Sequence, residues 1–184
     1  MIDIDVRTIG NRIGEEIAVS GWLEVTQARI DQFADATGDH QWIHVDPVRA
    51  AAELPGKTTI AHGFLTLSLL STMFRDAIRL TSLRMALNYG VNRVRFVSPV
   101  PAGARLRARL TLKGVETISG GFQVNWQATV EREGGDKPAC VADWIVRYYP
   151  ESGAPNPQPW ALALSPKPSA LFRITIRTPA KPPE

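Results

Sequence analysis

Polar and apolar positions alternate most regularly in the second half of the chain. Leu106, Ala108, Leu110 and Leu112 interleave with Arg105, Arg107, Arg109, Thr111 and Lys113. Phe122, Val124, Trp126, Ala128 and Val130 repeat the pattern, and residues 140–149 complete it. A period of two places one set of side chains on a buried face and the other in water, so these segments are predicted as strands. Gly120-Gly121 and Gly134-Gly135 fall between them and mark hairpin turns. Residues 91–96 predict a further strand, followed by a loop at Ser98-Pro99-Val100-Pro101-Ala102-Gly103. Near the start, Ile17, Val19, Leu23 and Val25 alternate as one half-buried strand.

The intervening segments have helical spacing. Thr26 caps a helix whose apolar face is Ile30, Phe33, Ala34 and Thr37, and Gly38 suits its left-handed end. Asp46-Pro47 reads as N-cap and first residue of a short second helix through Leu54. Residues 61–80 differ from both. Phe64, Leu65, Leu67, Leu69, Leu70, Met73, Phe74, Ala77 and Ile78 cover nearly every face, and the first charge is Arg75. A helix apolar all round is expected to be buried all round. It is too short and too rich in hydroxyls to span a bilayer. Long antiparallel strands following one buried helix predict an α+β hot-dog arrangement, a curved sheet wrapped around that helix.

Composition changes this picture at one end. Nine of the fourteen prolines lie in residues 150–184, which cannot sustain helix or central strand. The folded domain is therefore placed at 1–149, with 150–184 an extended, partly disordered tail. Leu171-Phe172-Arg173-Ile174-Thr175-Ile176 is the one piece there that alternates like a strand. The tail also holds Lys167, Arg173, Arg177 and Lys181 against Glu151 and Glu184, so of the net charge of +3 about +1 is left for the domain. Such a balance needs no nucleic-acid partner. The single cysteine, Cys140, excludes an internal disulfide and reads as a small core residue. Together with an acidic start unlike an export signal, it points to the cytoplasm.

All three histidines lie close to one another in sequence. Thr37-Gly38-Asp39-His40-Gln41-Trp42-Ile43-His44-Val45-Asp46 is followed by Ile60-Ala61-His62-Gly63-Phe64-Leu65. Acid–base chemistry needs a carboxylate and an imidazole able to share one water or one substrate proton. Asp39 and His44 are expected on a loop between helices, where side chains can converge. His62-Gly63-Phe64 opens the apolar helix, whose first amides lack intrahelical acceptors. A glycine there would let a carbonyl oxygen approach the backbone as at an oxyanion hole.

These two motifs resemble the signature of MaoC-like (R)-specific enoyl-CoA hydratases. The form Gly38 to Asp46 is most similar to the NodN-like branch and to mycobacterial 3-hydroxyacyl-thioester dehydratases. The loop at Ser98 to Gly103 fits as well, and the resemblance spans about residues 10–149. It implies a lyase that hydrates trans-2-enoyl thioesters, or dehydrates (R)-3-hydroxyacyl thioesters, of coenzyme A or acyl carrier protein. Asp39 and His44 would be the catalytic pair, the Gly63 amide the oxyanion donor and Ser71 its support. Gln41, Trp42, His62 and Phe64 would line the substrate site. No cofactor is implied beyond the coenzyme A of the substrate, and the fold implies a homodimer. Many relatives have Asn-Pro where this chain has Gln41-Trp42; the bulk of Trp42 bears on substrate size.

Other readings compete for the same residues. His40 and His44 with Asp39, Asp46 or His62 form a rival metal set, but none has the usual spacing on a regular element, and no metal is expected. His40 reads as solvated and His62 as a residue tying the loop to the helix start. Arg105, Arg107 and Arg109 read most simply as a solvated strand face, and this row, Lys57, Arg93 and Arg95 are equal candidates for a coenzyme A phosphate. A thioesterase, or a non-catalytic acyl-thioester binding module, would use the same fold without needing Asp39 and His44.

Overall fold

The computed structural model describes residues 1–151 of the chain. It begins with strand β1 (Ile2–Asp5), a 3-10 turn (Ile9–Arg12), β2 (Glu16–Val19) and β3 (Leu23–Val25). Helices α1 (Gln27–Thr37), α2 (Trp42–Val45), α3 (Pro47–Glu53), α4 (Gly63–Ser68) and α5 (Leu70–Ala77) follow. Strands β4 (Ile78–Thr81), β5 (Leu83–Phe96), β6 (Ala104–Ile118), β7 (Gly121–Arg132) and β8 (Cys140–Pro150) complete the fold.

β2 and β3 both pair with β6, and the large antiparallel sheet then runs β6-β7-β8-β5. β1 and β4 pair in parallel beside it. The alternation read along β6, β7 and β8 is the alternation of burial. Leu106, Ala108, Leu110, Leu112, Val124, Trp126, Val130, Cys140 and Tyr148 are all at most 1% exposed. That face packs against α5 through Leu70, Met73 and Phe74, with the Phe74 ring edge-on to both Trp126 and Trp144. This is the α+β hot-dog arrangement, a long sheet holding a helix against its inner face.

The capping signals act as read. Thr26 Oγ1 accepts from the Arg29 amide, Gly38 closes α1 at φ 75°, and Asp46 Oδ1 accepts from the Arg49 amide ahead of Pro47.

The buried helix departs from the expectation in three ways. It comes as α4 and α5, with Leu69 between them still in the right-handed helical region, so the path from Gly63 to Ala77 is nearly continuous. It stops at Ala77 rather than at 80, because Ile78 turns extended and pairs with Ile2. It is also not covered on every side, since Phe64 is 69% exposed and Ser68 is exposed. The early strand is divided into β2 and β3 by Ser20-Gly21-Trp22. β5 is longer than predicted, starting at Leu83. The strand-like stretch Leu171–Ile176 lies outside the described residues.

Candidate active site

Three segments meet at the start of α4. α1 ends in the left-handed Gly38, which turns the chain so that Asp39 leads into α2. α2 carries His44 in its only turn; His44 thus sits on a short helix and not on the open loop expected. The segment before α4 is clamped from both sides. The Ile60 amide donates to the Ile43 carbonyl at 3.0 Å, and the Ala61 amide donates to the Val100 carbonyl at 2.7 Å. Ile60 also bridges Pro101. The proline-rich loop after β5 is therefore the brace that fixes His62 and Gly63.

His44 is 7% exposed and His62 3%. Their rings stack with centroids 3.7 Å apart and planes 28° apart, and the Phe33 ring lies 5.1 Å from His62. His44 Nδ1 donates to the Ile60 carbonyl at 2.6 Å. A carbonyl only accepts, so the proton sits on Nδ1 and the lone pair of neutral His44 on Nε2. His62 Nε2 donates to the Asp39 carbonyl at 2.9 Å, which ties the loop to the helix start. The Asp39 carboxylate lies 3.9 Å from His62 Nε2, is 56% exposed, and accepts from the Gln41 amide at 3.4 Å. One donor atom each from Asp39, His44 and His62 falls within 4.8 Å of the others. Three members of the rival metal set, discounted on spacing along the chain, thus converge in space, while His40 and Asp46 are not in the cluster.

Gly63 opens α4, where the first amides point away from the helix. A Cβ there would meet the Phe96 ring at 2.6 Å. The bareness of Gly63 is taken up by that ring, which also meets Phe64 edge-on at 5.9 Å. Ser71 lies eight residues further, about 12 Å along the helix at 1.5 Å per residue. Its hydroxyl accepts from the Asn88 side-chain Nδ2 at 3.4 Å, and it lines a different space, a cavity of about 520 Å³ between α5 and β5. Phe74, Ile78, Leu83, Trp144 and Tyr148 supply its apolar wall, and Arg75 and Arg79 also border it. Gln41 is exposed, and Trp42 lies under the Arg49 guanidinium at 4.2 Å.

Three positions that shape the candidate site escaped the sequence reading. The Ile60 carbonyl sets the His44 tautomer, a backbone role no residue type announces. Gln27 donates to the His44 carbonyl at 2.8 Å and accepts from the Thr59 hydroxyl. Phe96 was legible only as the end of a strand. His40 is exposed and paired with Asp35 at 3.0 Å, whose carboxylate holds its pKa above the ordinary value. The arginine row is an ion ladder, Arg105 on Glu133, Arg107 on Glu131 and Arg109 on both Glu131 and Glu16. Arg93 takes Asp143. Among the described residues, no helix is long and apolar enough to cross a membrane.

The profile of the MaoC like domain matches residues 8–134. The chain is 54% identical over 136 residues to 3-hydroxyacyl-thioester dehydratase Z of Mycobacterium tuberculosis, covering 73% of this chain and 89% of that one. It is 48% identical over 148 residues to nodulation protein N of Rhizobium leguminosarum, covering 79% and 92%. Among solved structures, the R-hydratase PhaJ1 of Pseudomonas aeruginosa superposes with a TM-score of 0.61 at 22% identity, over 76% of this chain and 83% of that one. The last likeness speaks for the fold, and the first two for descent. The chain belongs to the MaoC-like dehydratase family and is an enzyme of the lyase class.

Proposed function

We propose that the protein adds water across the double bond of trans-2-enoyl thioesters, giving (R)-3-hydroxyacyl thioesters, and runs the reverse dehydration. The observation that carries this reading is the set of contacts at His44. Its Nδ1 is spent on the Ile60 carbonyl, so its Nε2 is the basic nitrogen, and an Asp39 carboxylate open to solvent stands in the same cluster. That pairing suits water held between a base and an acceptor. The water oxygen bonds to Cβ, and its proton passes to the pair. The π electrons move towards the thioester oxygen, and the pair returns a proton to Cα on the same face. The Gly63 amide serves the developing enolate oxygen, a service worth about 3 kcal/mol per donor.

Ser71 stands apart from the Asp39–His44 cluster, and the apolar cavity it borders takes the acyl chain. Gln41, Trp42, His62 and Phe64 line the approach. The thioester is carried by coenzyme A or by acyl carrier protein. With three of its arginines spent on glutamates, the outer sheet face is left out of phosphate binding. Among the described residues β5 closes the sheet order with one edge unpaired, and Met85, Leu87, Tyr89 and Val91 on it are exposed; a second copy pairs there to form a homodimer. The reading places the enzyme in the cytoplasm, where its one cysteine stays reduced.

The test is loss of enoyl-thioester absorbance with crotonyl-CoA and a longer trans-2-enoyl-CoA, followed beside thiol release. Absorbance loss without thiol supports hydration. Thiol release would replace it with a thioesterase.

A further inference from the structure

We propose that Asp39, His44 and His62 together form an inhibitory binding site for zinc and similar borderline transition-metal ions. Metal binding goes beyond the metal-free hydration above and does not depend on it, whereas the inhibition rests on that reading. One donor atom from each residue lies within 4.8 Å of the others, and the two imidazoles are buried. Each imidazole is backed by a backbone carbonyl, His44 by Ile60 at 2.6 Å and His62 by Asp39 at 2.9 Å. That outer contact fixes the tautomer and leaves the opposite nitrogen as a lone-pair donor, the usual arrangement of a metal-bound histidine. For His44 this is Nε2.

An independent observation concerns His62. Its Nδ1 is buried and has no hydrogen-bond partner among the described residues. Native interiors seldom leave such an acceptor empty. The His62 nitrogen that stands 3.9 Å from the Asp39 carboxylate is Nε2, so a cation that pairs with Nδ1 draws the carboxylate around the ring. Two neutral nitrogens and one carboxylate oxygen suit zinc, cobalt or nickel, whereas calcium and magnesium prefer sites made of oxygen. Ligands about 2.0–2.1 Å from a tetrahedral zinc stand about 3.3 Å apart, so the donors draw together, and the stacked rings turn, to hold the ion. The exposed side of Asp39 leaves the fourth position to water.

A bound ion takes the lone pair and the carboxylate that hydration uses. Zinc therefore inhibits in competition with substrate, and a chelator restores activity.

The binding test needs no substrate. Zinc alone is titrated calorimetrically into the full chain freed of metal, and tetrahedral cobalt is sought by its visible absorption. One equivalent should bind, with zinc held at least tenfold more weakly by Asp39→Asn and by His44→Gln. His40→Gln, which removes the exposed His40–Asp35 pair, should leave binding unchanged. His62→Gln should weaken zinc and abolish the cobalt band. Asp39 is exposed, so the Asp39→Asn result stands even where a histidine variant folds poorly. Absence of a one-equivalent isotherm, or equal affinity in Asp39→Asn and wild type, would overturn the site. Either result leaves the hydratase assay to be judged separately.

Discussion

At the residue scale, burial decides what several polar groups do. The Cys140 thiol is fully buried, and loss of water pushes its pKa from 9.0 up to about 11. Its folded form holds the proton more tightly than the unfolded form, so unfolding releases a proton between these values. Stability should therefore fall as pH rises from about 9 to about 11, and more steeply than in Cys140→Ala. Denaturant midpoints across that range check this, and identical slopes would contradict it. Trp126 Nε1 donates to the Tyr148 hydroxyl at 3.0 Å inside the core, and burial raises the Tyr148 pKa. Tyr148→Phe leaves that indole donor buried and unpaired, at a cost of about 1–3 kcal/mol in the same measurement. The histidine cluster was legible as a set of residue types. The reason His44 presents Nε2 was not, since it rests on the carbonyl of Ile60, which any residue could supply.

Local signals at the element scale were read correctly where the responsible contacts are local. Thr26, Gly38, Asp46 and Pro47 act within a few residues of themselves, and the strict alternation of β6, β7 and β8 reports one packed face. Elements shaped by distant partners were not. Ile78 to Thr81 continues the apolar pattern of a helix, yet pairing with Ile2 to Asp5 makes it a strand. The first half of β5 has exposed residues on both faces, so no alternation announced it. The brace between α4 and β5 gives a prediction at this scale. Gly63→Ala drives a methyl into the Phe96 ring and should destabilise by about 1–3 kcal/mol. Phe96→Ala in the same chain should recover much of that loss, a coupling that a double-mutant cycle reads directly. Strict additivity would show that the ring does not explain the glycine.

For the whole molecule, the sheet has an end that nothing in the described chain covers. β5 is the last strand in the order, fourteen residues long, and apolar side chains are exposed along it. Edges of this kind invite pairing with another copy. Light scattering should give a dimer mass at micromolar concentration, and Leu87→Lys should shift it to a monomer; a monomeric wild type would refute the pairing. The fold class was legible because alternation and one apolar helix suffice for it, whereas the edge was not, because only the strand order reveals which strand lies last. The central claim concerns the reaction, and it turns on Asp39 and His44. The decisive measurement is the rate of enoyl-thioester hydration by Asp39→Asn and His44→Ala, each with a circular dichroism spectrum matching wild type. Each should lose about 10²–10⁴-fold in kcat. Turnover within a few-fold of wild type in either variant would contradict the account.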